Sequence, residues 1–77
     1  MTEVRFPQMS EERPDATGVL ATWYAVEGDA VAEGQLIGEV QLDKADAEVV
    51  APVAGTITLR VAEGDEVAQG AVIAEIG

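Results

Sequence analysis

Seventy-seven residues carry fifteen Asp and Glu against four Lys and Arg, a formal charge of −11, with no Cys and no His. A chain this short holds one small core, and residues 1–77 are expected to form one domain. The missing thiols and imidazoles exclude a disulfide frame, a thiolate metal site and histidine acid–base chemistry, so an enzyme is not expected. The charge argues against a nucleic-acid backbone or an anionic membrane as partner and favours a basic one.

No apolar run is long enough to span a bilayer, and residues 1–7 lack the basic and apolar regions of a signal peptide, so a cytoplasmic location is expected. Residues 3–6 form a short strand candidate stopped by Pro7. A polar segment with Pro14 in its middle follows over residues 8–17, a surface loop long enough to be a binding loop. Strand character returns over residues 18–24.

An internal repeat then organises the chain. Residues 26–40 recur as residues 62–76, 36 positions later, with eight of fifteen residues identical: Glu27/Glu63, Gly28/Gly64, Asp29/Asp65, Val31/Val67, Ala32/Ala68, Gly34/Gly70, Ile37/Ile73 and Glu39/Glu75. In each copy the first glycine suits a turn with positive φ and the Asp can bond its own backbone downstream. The valine then enters the core, and Gly34 or Gly70 opens a second turn. Two such halves with short strands and no helix-length pattern predict an all-β fold with pseudo-two-fold symmetry, two small antiparallel sheets face to face.

Between the repeats, Leu36, Gly38, Val40 and Leu42 alternate with Ile37, Glu39 and Gln41, and Ala45, Ala47, Val49 and Ala51 alternate with Asp46, Glu48 and Val50. These are two half-buried strands separated only by Asp43 and Lys44. The spacing predicts a tight hairpin with Lys44, the sole lysine, at its tip in water. No glycine occupies the turn, so type I geometry is expected. Pro52 ends the second strand, Gly55 tolerates a bend, and residues 56–61 and 72–76 complete the sheets. The candidate core is Val19, Leu20, Val26, Val31, Leu36, Val40, Val49, Ile57, Leu59, Val67, Val72 and Ile76. If the halves are symmetric, the place matching the lysine hairpin is where the chain opens, near Gln8 by the repeat offset, with the termini together at the far pole.

Pro7-Gln8-Met9-Ser10, Gly18, Trp23, Glu27-Gly28-Asp29, Gly34, Asp43-Lys44-Ala45, Ala51-Pro52, Gly55, Glu63-Gly64-Asp65 and Gly70 resemble the lipoyl domains of 2-oxo acid dehydrogenase acyltransferases over nearly the whole chain. The resemblance implies a flattened β-barrel or barrel-sandwich hybrid with lipoate in amide linkage on Lys44. It also implies partners: a lipoate-attaching enzyme, a thiamin-diphosphate dehydrogenase, an acyltransferase core and dihydrolipoyl dehydrogenase. Gln41, Leu42, Asp43, Ala45 and Asp46 would flank the attachment point for recognition. The family's usual Glu-Thr or Glu-Ser is here Gln41-Leu42, a departure that bears on the attaching enzyme. Biotinyl domains share the fold but set their lysine between methionines. An unmodified barrel-sandwich docking module and the glycine-cleavage carrier are the other readings. The isolated domain is expected to be monomeric, without metal, membrane or nucleic acid.

Overall fold

The computed structural model describes residues 1–77 as eight strands and no helix. They are β1 (Thr2–Arg5), β2 (Thr17–Trp23), β3 (Ala30–Val31), β4 (Leu36–Leu42), β5 (Ala45–Val50), β6 (Gly55–Leu59), β7 (Glu66–Ala68) and β8 (Val72–Ile76). Alternating small and β-branched residues suit the pleat, and each Glu-Gly-Asp forces the chain to turn between strands. One antiparallel sheet has the order β1-β8-β6-β3 and the other β5-β4-β2-β7. No ladder joins them, so the all-β sandwich is as expected and the barrel is not closed.

The two sheets are copies. β1, β8, β6 and β3 correspond to β5, β4, β2 and β7, and their hydrogen bonds repeat in kind. Gly28 N–H donates to the Ile57 carbonyl at 2.9 Å as Gly64 N–H donates to that of Leu20 at 2.8 Å. Gly34 N–H bonds the Ala51 carbonyl at 2.7 Å as Gly70 N–H bonds that of Phe6 at 2.9 Å. Asp29 Oδ2 accepts from Val26 N–H at 2.8 Å and Asp65 Oδ2 from Ala62 N–H at 2.9 Å. Gly28 and Gly64 take φ of 87° and 89°, a region costly for a residue with a side chain. Gly18 and Gly55 are matched too. A Cβ on the first would lie 2.7 Å from the Gln41 carbonyl oxygen, and on the second 2.8 Å from that of Gly77. Both glycines let a neighbouring strand close in.

Fifteen apolar side chains fill the space between the sheets, all but one of them Val, Ile, Leu or Ala. The exception is Phe6, 1% exposed, a residue left out of the sequence-based core together with Val4, Ala25, Ile37, Leu42, Ala51, Ile73 and Ala74. Leu36 and Val26 are corrected in the other direction, at 36% and 66% exposed, and Val19, Leu59 and Val72 are only partly buried. For Leu36 and Val72 the cause is a pair of bulges. Registry slips between Leu36 and Gly38 and between Val4 and Arg5, opposite Ala74 and Val72, so Ile37 and Ile73 swing inward and Leu36 and Val72 lose the core face.

Thr2 pairs with Ile76, and a Cβ on Gly77 would lie 3.1 Å from the Met1 side chain. Met1 and Gly77 therefore hold, at the end of the β1–β8 pair, the place that Asp46 and Gln41 hold on β4–β5. The lysine turn thus lies at the end matching that of the β1–β8 pair and not at Gln8, because the 36-residue offset of the repeat does not carry across the β5-to-β1 correspondence, where it is 45.

Candidate functional site

β4 and β5 run in register to their ends, with Gln41 opposite Asp46 and Leu42 opposite Ala45. Asp43 and Lys44 are left as the two central residues of the turn. Asp43 has φ 56° and Lys44 does not have positive φ. A positive φ at the first central residue is the mark of a primed hairpin turn, not of the type I expected. It matches the right-handed twist of the flanking strands, and aspartate is among the few residues whose short polar side chain tolerates the left-handed region.

Lys44 is exposed and takes part in no ion pair and no side-chain hydrogen bond. The other three cations are all engaged. Arg5 bonds Glu3 at 2.5 Å and the Gly70 carbonyl at 2.8 Å, Arg60 pairs with Glu75, and Arg13 pairs with Asp43. Lys44 is thus the one unpaired basic side chain on a strongly acidic surface. Gln41, Asp46 and Ala45 are exposed around it, whereas Leu42 is 4% exposed and packs in the core. Leu42 is a packing residue beneath the turn and offers a partner no surface. The turn glycines Gly28, Gly34, Gly55, Gly64 and Gly70 build the frame and do not touch the lysine.

Two further residues matter that sequence reasoning did not single out. Arg13, from the loop after β1, reaches the carboxylate next to Lys44. Gln69, after β7, holds that loop from beneath. Arg13 could have been suspected as one of only four cations, but nothing in the sequence marks Gln69.

No three acidic side chains are grouped to hold a metal. A groove of about 280 Å³ lies between β1 and β5, lined by two-fold-related residues including Val4 and Val49, Pro7 and Pro52. It does not include the lysine turn. Trp23 is half-buried, its indole N–H donating to the Val61 carbonyl at 2.9 Å, a packing role as expected. Chemically, the site offers one accessible primary amine at a hairpin tip, flanked by the carboxylates of Asp43 and Asp46.

A two-fold sandwich that offers one free amine at a hairpin tip is the frame of a covalent carrier module. Residues 2–76 match the family model described as biotin-requiring enzyme. The acetyltransferase component of the pyruvate dehydrogenase complex of Corynebacterium glutamicum is 42% identical over 77 residues, 99% of this chain and 11% of that protein. The succinyltransferase component of the 2-oxoglutarate dehydrogenase complex of Staphylococcus saprophyticus is 38% identical over 78 residues, all of this chain and 18% of that protein. The lipoyl domain of the 2-oxoglutarate dehydrogenase complex from Azotobacter vinelandii superimposes with a TM-score of 0.79 at 31% identity, covering 100% of this chain and 96% of that one. The chain belongs to the biotinyl and lipoyl attachment family and is a lipoyl domain within it. It spans between a tenth and a fifth of the length of these acyltransferase components.

Proposed function

We propose that Lys44 carries lipoate and that the chain is a swinging-arm carrier of a 2-oxo acid dehydrogenase complex. The observation that carries this is the isolation of Lys44: the only lysine, at a hairpin tip, exposed and unpaired while every arginine is engaged. The residues fit the group, because an amide to a long acyl chain requires a reachable amine and nothing else of the protein. A lipoate-attaching enzyme presents the acyl group in activated form. The Nζ–carbon bond forms as the leaving group departs and the amine gives up its proton.

When bound, lipoate supplies a redox-active disulfide ring that can also carry an acyl group as a thioester. The protein's own contribution is geometric. β4 and β5 fix the anchor, the lysine stem extends it, and tethering keeps the arm at high local concentration around successive active sites. Those sites are a thiamin-diphosphate dehydrogenase, an acyltransferase core and dihydrolipoyl dehydrogenase. Gln41, Ala45 and Asp46, exposed beside Lys44, are the surface that the attaching enzyme reads. Residues 1–77 act as one domain, monomeric when isolated, without catalytic activity of their own and located in the cytoplasm.

The test is intact mass after co-expression with a lipoate-attaching enzyme and lipoate. The expected result is a shift of one lipoyl amide in the wild type and none in Lys44→Ala. No shift in the wild type, with the enzyme active on another lipoyl domain, would refute the reading and favour a biotinyl or unmodified module.

A further inference from the structure

Among the side chains at which the pseudo-two-fold breaks, one leads to the lysine. Gln69 and its mate Glu33 follow equivalent strands, β7 and β3. Glu33 is exposed and makes no side-chain hydrogen bond, whereas Gln69 is partly buried beneath the loop that joins β1 to β2. Its Oε1 accepts from Met9 N–H at 2.8 Å and Ser10 N–H at 2.7 Å. Its Nε2 donates to the carbonyls of Arg13 at 2.9 Å and Ala16 at 3.1 Å. One amide thus satisfies four backbone groups spread along a loop that has no ladder of its own. That loop ends its reach at the Arg13–Asp43 ion pair, and Asp43 is the left-handed residue that turns the chain into Lys44.

We propose that Gln69 is a positioning residue for Lys44, acting through the loop backbone and the Arg13–Asp43 pair. Each link is separately visible: a four-bond clamp on the loop, an arginine the loop delivers, and the carboxylate that arginine holds. Arg13 has a second effect. It occupies the carboxylate nearest in sequence to Lys44 and leaves the lysine without an ion-pair partner. The strap orders the turn before any partner arrives, so less conformational freedom is lost on docking. Its use in docking rests on the carrier reading, whereas the ordering itself is a property of the unmodified chain.

The experiment has two independent readouts on Gln69→Ala, Arg13→Gln, the double variant and Arg13→Lys. The first is the 15N relaxation of the Asp43 and Lys44 amides in the unmodified domain, with Trp23 fluorescence confirming the fold. Gln69→Ala and Arg13→Gln are each expected to loosen these amides, and the double variant no further than either single one. The second is steady-state lipoate attachment. KM for the domain is expected to rise by about two- to fivefold with kcat unchanged, the size an exposed ion pair supports, and Arg13→Lys should recover most of it. High salt should bring the wild type to the Arg13→Gln value, because the pair is exposed.

Wild-type mobility at Asp43 and Lys44 in folded Gln69→Ala would overturn the proposal, as would additive effects in the double variant. Should Gln69→Ala not fold, Arg13→Gln and its lysine rescue decide, and rigid turn amides in folded Arg13→Gln would overturn it equally. Absence of attachment to the wild type would refute the carrier reading, and the amide relaxation would then judge the strap by itself.

Discussion

Substitution of Asp43 separates the backbone cost of the lysine turn from its charge. Asp43 stands at φ 56°, where an L-residue costs about 1–2 kcal/mol and aspartate sits at the low end. Its ion pair with Arg13 joins side chains 57% and 58% exposed, and so wet a pair contributes about 0.2–1 kcal/mol. Asp43→Gly removes the strain, loses the pair and adds about 0.5–1 kcal/mol of unfolded-state freedom, for a net change within about 1 kcal/mol of zero. Asp43→Ala keeps the full strain and loses the pair, a destabilisation of about 1–2 kcal/mol. Asp43→Val adds β-branching in a region it enters poorly and should be worst. Urea unfolding followed by fluorescence of Trp23, the sole tryptophan, reads the series directly. With a slope of about 1 kcal/mol/M for so small a domain, the Ala variant should melt about 1–2 M below the wild type. An Ala variant as stable as the Gly variant would refute the reasoning, because the turn would then not hold its left-handed residue in solution.

Two measurements probe the rest of the frame. The Tyr24 hydroxyl donates to Glu39 Oε1 at 2.9 Å, and this bond, then desolvation and the charges of Glu39 and Glu48, raise its pKa above 10.0. The folded state therefore holds that proton more tightly, a stabilisation fully present below pH 10 and lost as pH rises through the folded-state value. Ultraviolet titration of this single tyrosine should show a midpoint above 10, falling toward 10 in Glu39→Gln, and an unmoved midpoint in that variant would count against the bond. Ile37→Ala and Ile73→Ala, both at 0% exposure, should each cost about 2–5 kcal/mol and agree within about 1 kcal/mol, as two-fold mates. A loss below about 1 kcal/mol in either would mean the bulges do not turn both isoleucines inward.

What could be read from the chain alone follows from which features are local. The Glu-Gly-Asp turns announce themselves because glycine and aspartate are needed at those positions wherever they occur, and their repetition carries the symmetry with it. The isolation of Lys44 is likewise a matter of counting. The core assignments failed where one residue of bulge reversed the parity. Nothing in Leu36-Ile37-Gly38 says which of two adjacent aliphatic residues faces inward, since either choice satisfies an alternating pattern until the partner strand sets the register. The turn type failed for a related reason. Asp43 adopts a conformation usually left to glycine because strand twist demands it, and the twist is not written in the two turn residues. Arg13 and Gln69 act across 30 and 56 positions of sequence respectively, from Arg13 to Asp43 and from Gln69 to Arg13, and contacts of that span leave no periodic trace.

The symmetry itself explains why the domain can be so small and still present one site. The Glu-Gly-Asp turns, the bulges beside Ile37 and Ile73 and the close approaches at Gly18 and Gly55 each occur in both halves, so one solution serves both sheets around an almost wholly aliphatic core. Function then needs only the places where the halves differ. At one end the β4–β5 pair turns through Asp43 and Lys44, and the equivalent end of the β1–β8 pair has no such lysine. Phe6 replaces the alanine of its mate Ala51 and fills the space beside Gly18 of β2, which faces the Gln41 carbonyl of the neighbouring β4. Gln69 replaces the glutamate of its mate Glu33 and gathers the loop that ends at Asp43. Both exchanges lie on the side of the molecule that supports Lys44. A scaffold duplicated for stability thus becomes one-sided through a few side chains, and those side chains bear on how the lysine is held.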